Sequence, residues 1–251
     1  MTYKSNNQLG NSCYNDFNVF GNTGATRSVT ISNAHNAANT SSSFVAQVSG
    51  AAAGDPYYRV AETVGGQNWV WGLDNSALDK FVISSGAALG TNDVMEVFST
   101  GEINYPKQPC FSAYKSVNTL SVTGNGAVYT VICDAVTVNQ GACYNNATGV
   151  FTAPVTGNYF FQGNASIINA LGVFAYYIEI NPSIGIGLWH YMPTTPFGDL
   201  ALNLSGMIVL TAGSTVTLKI IANGQPGNNC TLIGGAATQQ ALTGFCGWLV
   251  C

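Results

Sequence analysis

The carboxylates of the first half are the side chains in this sequence with the clearest capacity for chemistry. Asp74 and Asp79 lie on either side of a turn-like segment, and two carboxylates that flank a sugar can hydrolyse a glycosidic bond. Asp55, Asp93 and Glu96 add further carboxylates to the same half. However, aspartate followed by asparagine and serine is a common turn former, and we expect Asp79 and Lys80 to form a surface ion pair. The pattern therefore predicts turns, with polysaccharide hydrolysis as the open alternative.

Histidine residues and short motifs add no second catalytic centre. His35 lies in a polar stretch and His190 in an aromatic one, and we expect solvated or packed rings at both. No nucleophile elbow, phosphate-binding loop or zinc-binding His-Glu-x-x-His motif occurs. No cofactor is predicted, although loop carboxylates leave a calcium ion as an alternative. The sequence thus predicts a protein that is not an enzyme.

Aromatic residues in the second half form the best candidate binding surface. Trp189, Tyr191 and Phe197 surround the segment 192–196, which reads as an irregular loop between two strands. Rings on loops offer a large contact area at a small entropic cost, so they suit a glycan or a protein receptor on a host surface. The alternative is that these rings pack between subunits or cap the core.

Charge is scarce along the whole chain, and this bears on its partners. Only 7% of the residues are charged, 47% are hydrophobic and the net charge is -4, whereas an ordinary domain has about 25% charged residues. Because clustered Lys and Arg are absent, nucleic-acid binding is not predicted. A surface so poor in charge is expected to be solvated by Ser, Thr, Asn and Gln, and to be covered in part by other copies of the chain.

Targeting signals are not visible in the sequence. Residues 1–10 are polar and lack the apolar region of a signal peptide, and no window has the roughly 18 apolar residues of a membrane helix. We therefore predict no membrane insertion. A place in a virus particle, or at an extracellular surface reached by another route, is the predicted location.

Cysteine usage leaves several interpretations open. The number of cysteines is odd, at 7, so at least one is unpaired within the chain, and none has the Cys-x-x-Cys spacing of a zinc site. Buried free thiols that act as small hydrophobic residues are expected. Disulfides, including disulfides between subunits, are the alternative.

Short strand-like runs separated by turn residues predict an all-β fold. In the first half they are Thr26–Ser32, Ser43–Val48, Tyr57–Val64, Trp69–Leu73, Phe81–Ser84 and Val94–Ser99. In the second half they are Val128–Cys133, Gly157–Ile168, Val173–Ile180, Leu200–Leu210, Ser214–Ala222 and Gly244–Cys251. The prolines in Asn104–Pro109 interrupt strand pairing. We therefore predict a boundary there, between a smaller β-rich stalk-side module in residues 1–105 and a head in residues 106–251.

An ordered series of motifs occupies the second half. Residues 148–161 read TGVFTAPVTGNYFF, and shorter matching runs occur at 109–114, 139–144, 205–216 and 243–250. In this order they resemble the globular head of the C1q and tumour-necrosis-factor family, whose pattern is T-G-x-F-T-A-P-x-x-G-x-Y-x-F. The positions that carry the resemblance are Phe111, Tyr144, Gly149, Phe151, Pro154, Gly157, Tyr159, Phe161, Gly244 and Phe245.

This resemblance implies a jelly-roll sandwich that assembles as a homotrimer. Two positions depart from the family's pattern. Ser214 stands where the family often has Asp, which weakens the inference of a calcium site. Cys246 replaces the usual Ser and leaves the inferred fold unchanged.

The first half has a resemblance of its own. Residues 53–60, 68–76, 79–84 and 89–95 resemble modules of bacteriophage tail fibres, which implies a three-stranded stalk or a small head. Together the two resemblances predict a trimeric fibre tip or surface head that binds a host receptor. A purely structural component of a virus particle and a polysaccharide-degrading tail spike are the alternatives.

Overall fold

The computed structural model describes residues 43–48, 53–62, 65–183, 187–193, 198–235 and 242–250. The chain divides into two compact units, Met1–Gln47 and Val48–Cys251. All regular elements of the described residues are β-strands, which confirms the all-β prediction. The predicted boundary near Asn104–Pro109 stays a prediction.

A five-stranded antiparallel sheet, which we call the small sheet, is built from consecutive hairpins in the order β1-β2-β3-β4-β5. Its strands are β1 (Tyr57–Ala61), β2 (Asn68–Asp74), β3 (Lys80–Ser84), β4 (Asp93–Val97) and β5 (Ile103–Asn104). Its buried apolar cluster has three members, Val70, Val82 and Leu89. The predicted strand Ser43–Val48 is wrong, because these residues form no strand. The predicted strand Thr26–Ser32 lies outside the described residues.

The jelly-roll head follows, and two sheets form it. The six-stranded sheet contains β8 (Val128–Thr130), β10 (Tyr144–Asn145), β11 (Val150–Thr152), β13 (Ala175–Pro182), β14 (Leu188–Pro193) and β16 (Thr215–Asn223). The seven-stranded sheet contains β6 (Cys110–Tyr114), β7 (Thr119–Thr123), β9 (Ala135–Gln140), β12 (Gly157–Ile168), β15 (Leu200–Leu210), β17 (Cys230–Leu232) and β18 (Gly244–Val250). One continuous apolar core lies in the head.

Two long strands organise the seven-stranded sheet. β12 and β15 pair over their whole length, from Gly157 opposite Leu210 to Ile167 opposite Leu200, and their predicted bounds are confirmed. Alternation in the first part of β12 places Tyr159 and Phe161 in the core, where both are fully buried, and turns Phe160 to the other face.

Glycine allows the aromatic core to lie directly against the backbone of β18. A Cβ atom at Gly247 would stand 2.5 Å from the Cδ1 atom of Phe161, so any larger residue would displace this buried ring. At Gly149 the backbone has a φ of +73°, and a Cβ atom would meet the Val131 carbonyl oxygen at 2.6 Å. Only glycine suits such a turn, because it lacks the Cβ that strains a left-handed conformation.

Cysteines in the described part of the head are free thiols: Cys110, Cys133, Cys143, Cys230 and Cys246. Burial raises the pKa of the Cys133 thiol to about 12, so this side chain stays protonated and packs as a small hydrophobic residue. Cys13 and Cys251 lie outside the described residues.

Candidate functional site

The aromatic surface predicted around Trp189 lies on a strand and not on a loop, which corrects the sequence-based prediction. β14 pairs along its length with β13, so that Tyr191 stands opposite Tyr177 and Trp189 opposite Glu179. Trp189 is 68% exposed and Tyr191 is 40% exposed. The rings of Tyr177 and Tyr191 lie 4.7 Å apart. The third predicted ring, Phe197, lies outside the described residues.

A chain of polar side chains runs beside these rings on the same face of the six-stranded sheet. The Lys219 ammonium donates to Asn181 Oδ1 at 2.9 Å, and Asn181 Nδ2 donates to Glu179 Oε1 at 2.7 Å. Glu179 lies between Trp189 and Lys219 in the register of the strands. The Glu179 carboxylate, held in this way, can accept hydrogen bonds from hydroxyl or amide groups through Oε2. The indole of Trp189 offers an apolar face. The arrangement suits a ligand that has both polar and apolar faces.

His190 occupies the other face of β14 and joins the two sheets. Its Nδ1 atom lies 3.0 Å from the carbonyl oxygen of Asn203 on β15. This contact fixes the edge of the sandwich that carries the aromatic residues. His190 is exposed, which agrees with the expectation of a solvated or packed ring, and His35 lies outside the described residues.

The outer face of the seven-stranded sheet carries a second exposed surface, which sequence analysis did not identify. Met207, Phe160 and Trp248 stand side by side on three neighbouring strands, and the rings of Phe160 and Trp248 are 4.6 Å apart. Met207 is 65% exposed, Val209 70% and Trp248 42%. We call these four residues Phe160, Met207, Val209 and Trp248 the apolar patch of the head.

A polar depression of about 280 Å³ lies on the same face, farther along the strands. Its lining includes Ser112, Tyr114, Gln162, Asn164 and Cys246. This face of the head therefore has an apolar part and a polar part. Such a division is common at interfaces between subunits, where an apolar centre is bordered by polar groups.

The family motif positions meet inside the head. Phe111 stacks on Tyr144 at 4.7 Å and lies 5.0 Å from Phe245, while Phe151 contacts both Tyr159 and Phe161. These positions therefore form the aromatic core and carry no exposed chemistry. The remaining motif positions supply backbone features: Gly149 a left-handed turn, Pro154 an exposed bend, and Gly157 and Gly244 close approaches to Leu249 and Asn164.

Polar groups in this core and at its border have defined partners. The Tyr144 hydroxyl accepts from the Cys133 amide and donates to the Cys133 carbonyl, both at 3.2 Å. Asp134 accepts from the Ser116 amide at 3.1 Å, from the Ser116 hydroxyl and from the Lys115 ammonium at 3.0 Å. Burial pushes the pKa of Asp134 upward, but these hydrogen bonds outweigh it and lower the pKa to about 2. These groups stabilise the head and are not arranged around a ligand cavity.

The carboxylates of the small sheet have structural partners. Asp74 is buried and accepts from the Ser76 hydroxyl at 2.8 Å, whereas Asp79 lies exposed in the turn. The expected ion pair between Asp79 and Lys80 is wrong, because Lys80 binds Glu96 with 2.6 Å between Nζ and Oε1. Among the residues that the structure describes, no three His, Cys, Asp or Glu side chains lie where they could hold a metal ion. In the same residues, no helix is long and apolar enough to cross a membrane.

Comparisons with known proteins address the head. The family model of the C1q domain matches residues 111–250. A search among curated proteins finds no match. The globular domain of a zebrafish complement 1qA protein is 16% identical with a TM-score of 0.42, and the alignment covers 57% of this chain and 98% of that domain. Murine APRIL, crystallised at pH 8.0, is 13% identical with a TM-score of 0.39, over 57% of this chain and 100% of that protein.

Proposed function

The chain belongs to the C1q domain family, and from that premise we propose that it is a trimer-forming module that binds a partner through β13 and β14. Domains of this family are typically trimeric, take part in binding and are generally not enzymes. The observation that carries the proposal is the apolar patch of the head. Three of its four side chains, Met207, Val209 and Trp248, are exposed in a single chain, and burying them against other copies removes apolar surface from water.

A test of trimer formation changes the apolar patch. Val209→Asp places a charge in the proposed interface, where it would lose its hydration without gaining a partner. We expect light scattering to show a trimer for the unmodified protein and a monomer for the variant. The control is Leu171→Asp, which alters a 69% exposed residue in a turn and should leave the trimer intact. A monomeric unmodified protein at micromolar concentration would refute trimer formation.

The proposed partner surface is the aromatic and polar face around Trp189 and Tyr191. It lies on the six-stranded sheet, whereas the apolar patch lies on the seven-stranded sheet, so both surfaces can be used at the same time. The ring of Trp189 and the carboxylate of Glu179 fit a glycan or a protein receptor. In this proposal the head is a fibre tip or surface head of a virus particle or cell, for which the tail-fibre resemblance of residues 53–95 is the support.

A test of binding uses glycan arrays and host cells. Trp189→Ala and Glu179→Gln should each reduce binding by at least about tenfold, because hot-spot residues contribute roughly 2 kcal/mol or more. Leu171→Ala is the control and should bind normally. A trimer that binds no glycan and no host cell would instead favour a structural role in the particle.

Polysaccharide hydrolysis remains the second functional alternative, and the burial of Asp74 weighs against it. A general acid needs access to the glycosidic oxygen, yet Asp74 is 1% exposed. Depolymerase activity on host capsule that is lost in Asp79→Asn would support this alternative.

A further inference from the structure

One face of the small sheet is apolar and exposed. Along β2 the alternate residues Trp69, Trp71 and Leu73 are 44%, 36% and 39% exposed, and Phe81 on β3 is 42% exposed. The register places Leu73 opposite Phe81 and Trp71 opposite Ile83. Because residues directly opposite each other project to one side of a sheet, these side chains form a continuous surface. We call Trp69, Trp71, Leu73, Phe81 and Ile83 the ring face.

The other face of the same sheet is covered on β2, β3 and β4 and open on β1, and its covered part carries charged groups. Lys80 and Glu96 form their ion pair there, with side-chain exposures of 14% and 12%. Asn104 Nδ2 donates to Glu96 Oε2 at 2.8 Å. Only Val70 and Val82 of the strands contribute fully buried apolar side chains, and Leu89 from the following loop packs on them.

The usual arrangement of a sheet with one solvated side is thus inverted. An antiparallel sheet normally turns its apolar side chains to the core and its polar side chains to water. Here the chain encloses an ion pair and leaves indole and phenyl rings outside. An exposed apolar surface of this kind is a mark of an interaction site.

The size of the ring face limits how it can act. It occupies part of one side of the small sheet, and five strands spaced by about 4.8 Å with about five residues of about 3.3 Å limit the area of that side to roughly 400 Å². A stable interface buries about 800 Å² on each partner. The ring face is therefore too small to hold copies together alone, and it needs a second interface that brings the copies together.

We propose that the ring faces of the copies pack against one another around the axis of the trimer, so that the small sheets form a second, separate interface. This inference rests on the proposed trimer of the head. The connector from Tyr105 to Pro109 spans at most about 18 Å, so a trimeric head places the small sheets of its copies side by side. Within the trimer, each small sheet then meets the others at an effective concentration at least on the order of millimolar. At this concentration a weak apolar contact between ring faces can form.

The test is photo-crosslinking in the full chain. Leu73 is replaced by p-benzoylphenylalanine, and the matched control carries the same group at Arg59, an exposed residue opposite Val70 on the covered face. We expect irradiation to link chains to one another from position 73 and not from position 59. Introducing Val209→Asp in addition should abolish the links from position 73, because the small contact cannot persist without the head trimer.

Each outcome separates the two proposals. A monomer in light scattering would refute the trimer and the ring-face contact with it. A trimer that yields no links between chains from position 73 would refute the ring-face contact alone. Links from position 73 only to residues 1–47 of the same chain, or only to an added host protein, would likewise overturn it by identifying another occupant.

Discussion

The core of the head is built from packed aromatic rings, whereas the small sheet encloses an ion pair and leaves the rings of its ring face exposed. Phe151, Phe161 and Tyr159 are fully buried, while Trp69 and Phe81 are more than one-third exposed. In both regions successive side chains of a strand point to opposite faces of the sheet, so this alternation alone does not decide which face is buried. The difference shows that the head has a large apolar core of its own, whereas the buried apolar cluster of the small sheet has three members.

The largest effect is expected from removing a ring in the core of the head. Phe161→Ala leaves a cavity among packed aromatic residues, which typically lowers the free energy of unfolding by about 3–5 kcal/mol. Urea unfolding followed by near-ultraviolet circular dichroism measures this loss. The matched control is Phe174→Ala, where the ring is 59% exposed. Equal destabilisation by the two variants would contradict the assignment of Phe161 to the packed core of the head.

A smaller effect is expected from the ion pair of the small sheet. Hydrogen bonds from Lys80 and Asn104 lower the pKa of Glu96, and the hydrogen bond with Glu96 raises the pKa of Lys80. The stabilisation is therefore complete above the ordinary Glu pKa of 4.5 and is lost as the pH falls below it. At high pH it persists up to the ordinary Lys pKa of 10.5 and is lost as the pH rises through the raised value.

Glu96→Gln tests this pair. We expect it to destabilise the small sheet by about 1–3 kcal/mol near pH 7, because the bond with the charged ammonium is weakened, and to remove the acid dependence. Peptide-resolved hydrogen exchange of β3 and β4, corrected for intrinsic rates, is the measurement. Glu62→Gln, which changes an exposed carboxylate, is the control. An unchanged acid dependence in Glu96→Gln would show that other groups control the sheet.

The smallest effect is expected from Asp134 in the head. Its pKa of about 2 lies below the ordinary 3.8, so its stabilisation is complete above pH 3.8 and is lost as the pH falls toward 2. The carboxylate is 36% exposed, and solvent screening weakens its contribution. Asp134→Asn should therefore lower the free energy of unfolding at pH 7 by less than Glu96→Gln does. It should also weaken the dependence of this free energy on pH between about pH 4 and pH 2. Asp199→Asn, an exposed control, should retain the unmodified acid profile.

Long alternating strands were predictable from the sequence, and the family motif located the head. Gly157–Ile168 and Leu200–Leu210 have the predicted bounds. The sequence predicts a loop at part of the strand Leu188–Pro193, because the Pro and Thr residues at its end and directly after it are typical of irregular segments. The strand Ala135–Gln140 was missed because it is short and half of its residues are polar.

Functional surfaces were harder to predict than strands, because the sequence of a single strand does not reveal which strand it pairs with or in which register. The partner of Lys80 is Glu96 on the neighbouring strand, and sequence proximity suggested Asp79 instead. Met207 and Val209 alternate with buried residues of β15, but both faces of this strand carry apolar side chains. Nothing in such a pattern distinguishes the side that faces the core from the side that remains exposed.

The connector between the two regions has a mechanical consequence. Gln140 donates its side-chain amide to the carbonyl of Tyr105, and Gln108 donates to the carbonyl of Leu249. The chain then continues directly into β6, which is paired with β18 on one side and β9 on the other. A pull along β6 from its N-terminal side would load both ladders of hydrogen bonds together instead of opening them one at a time. Tension that reaches the head from its N-terminal side therefore acts on a strand that is paired on both sides.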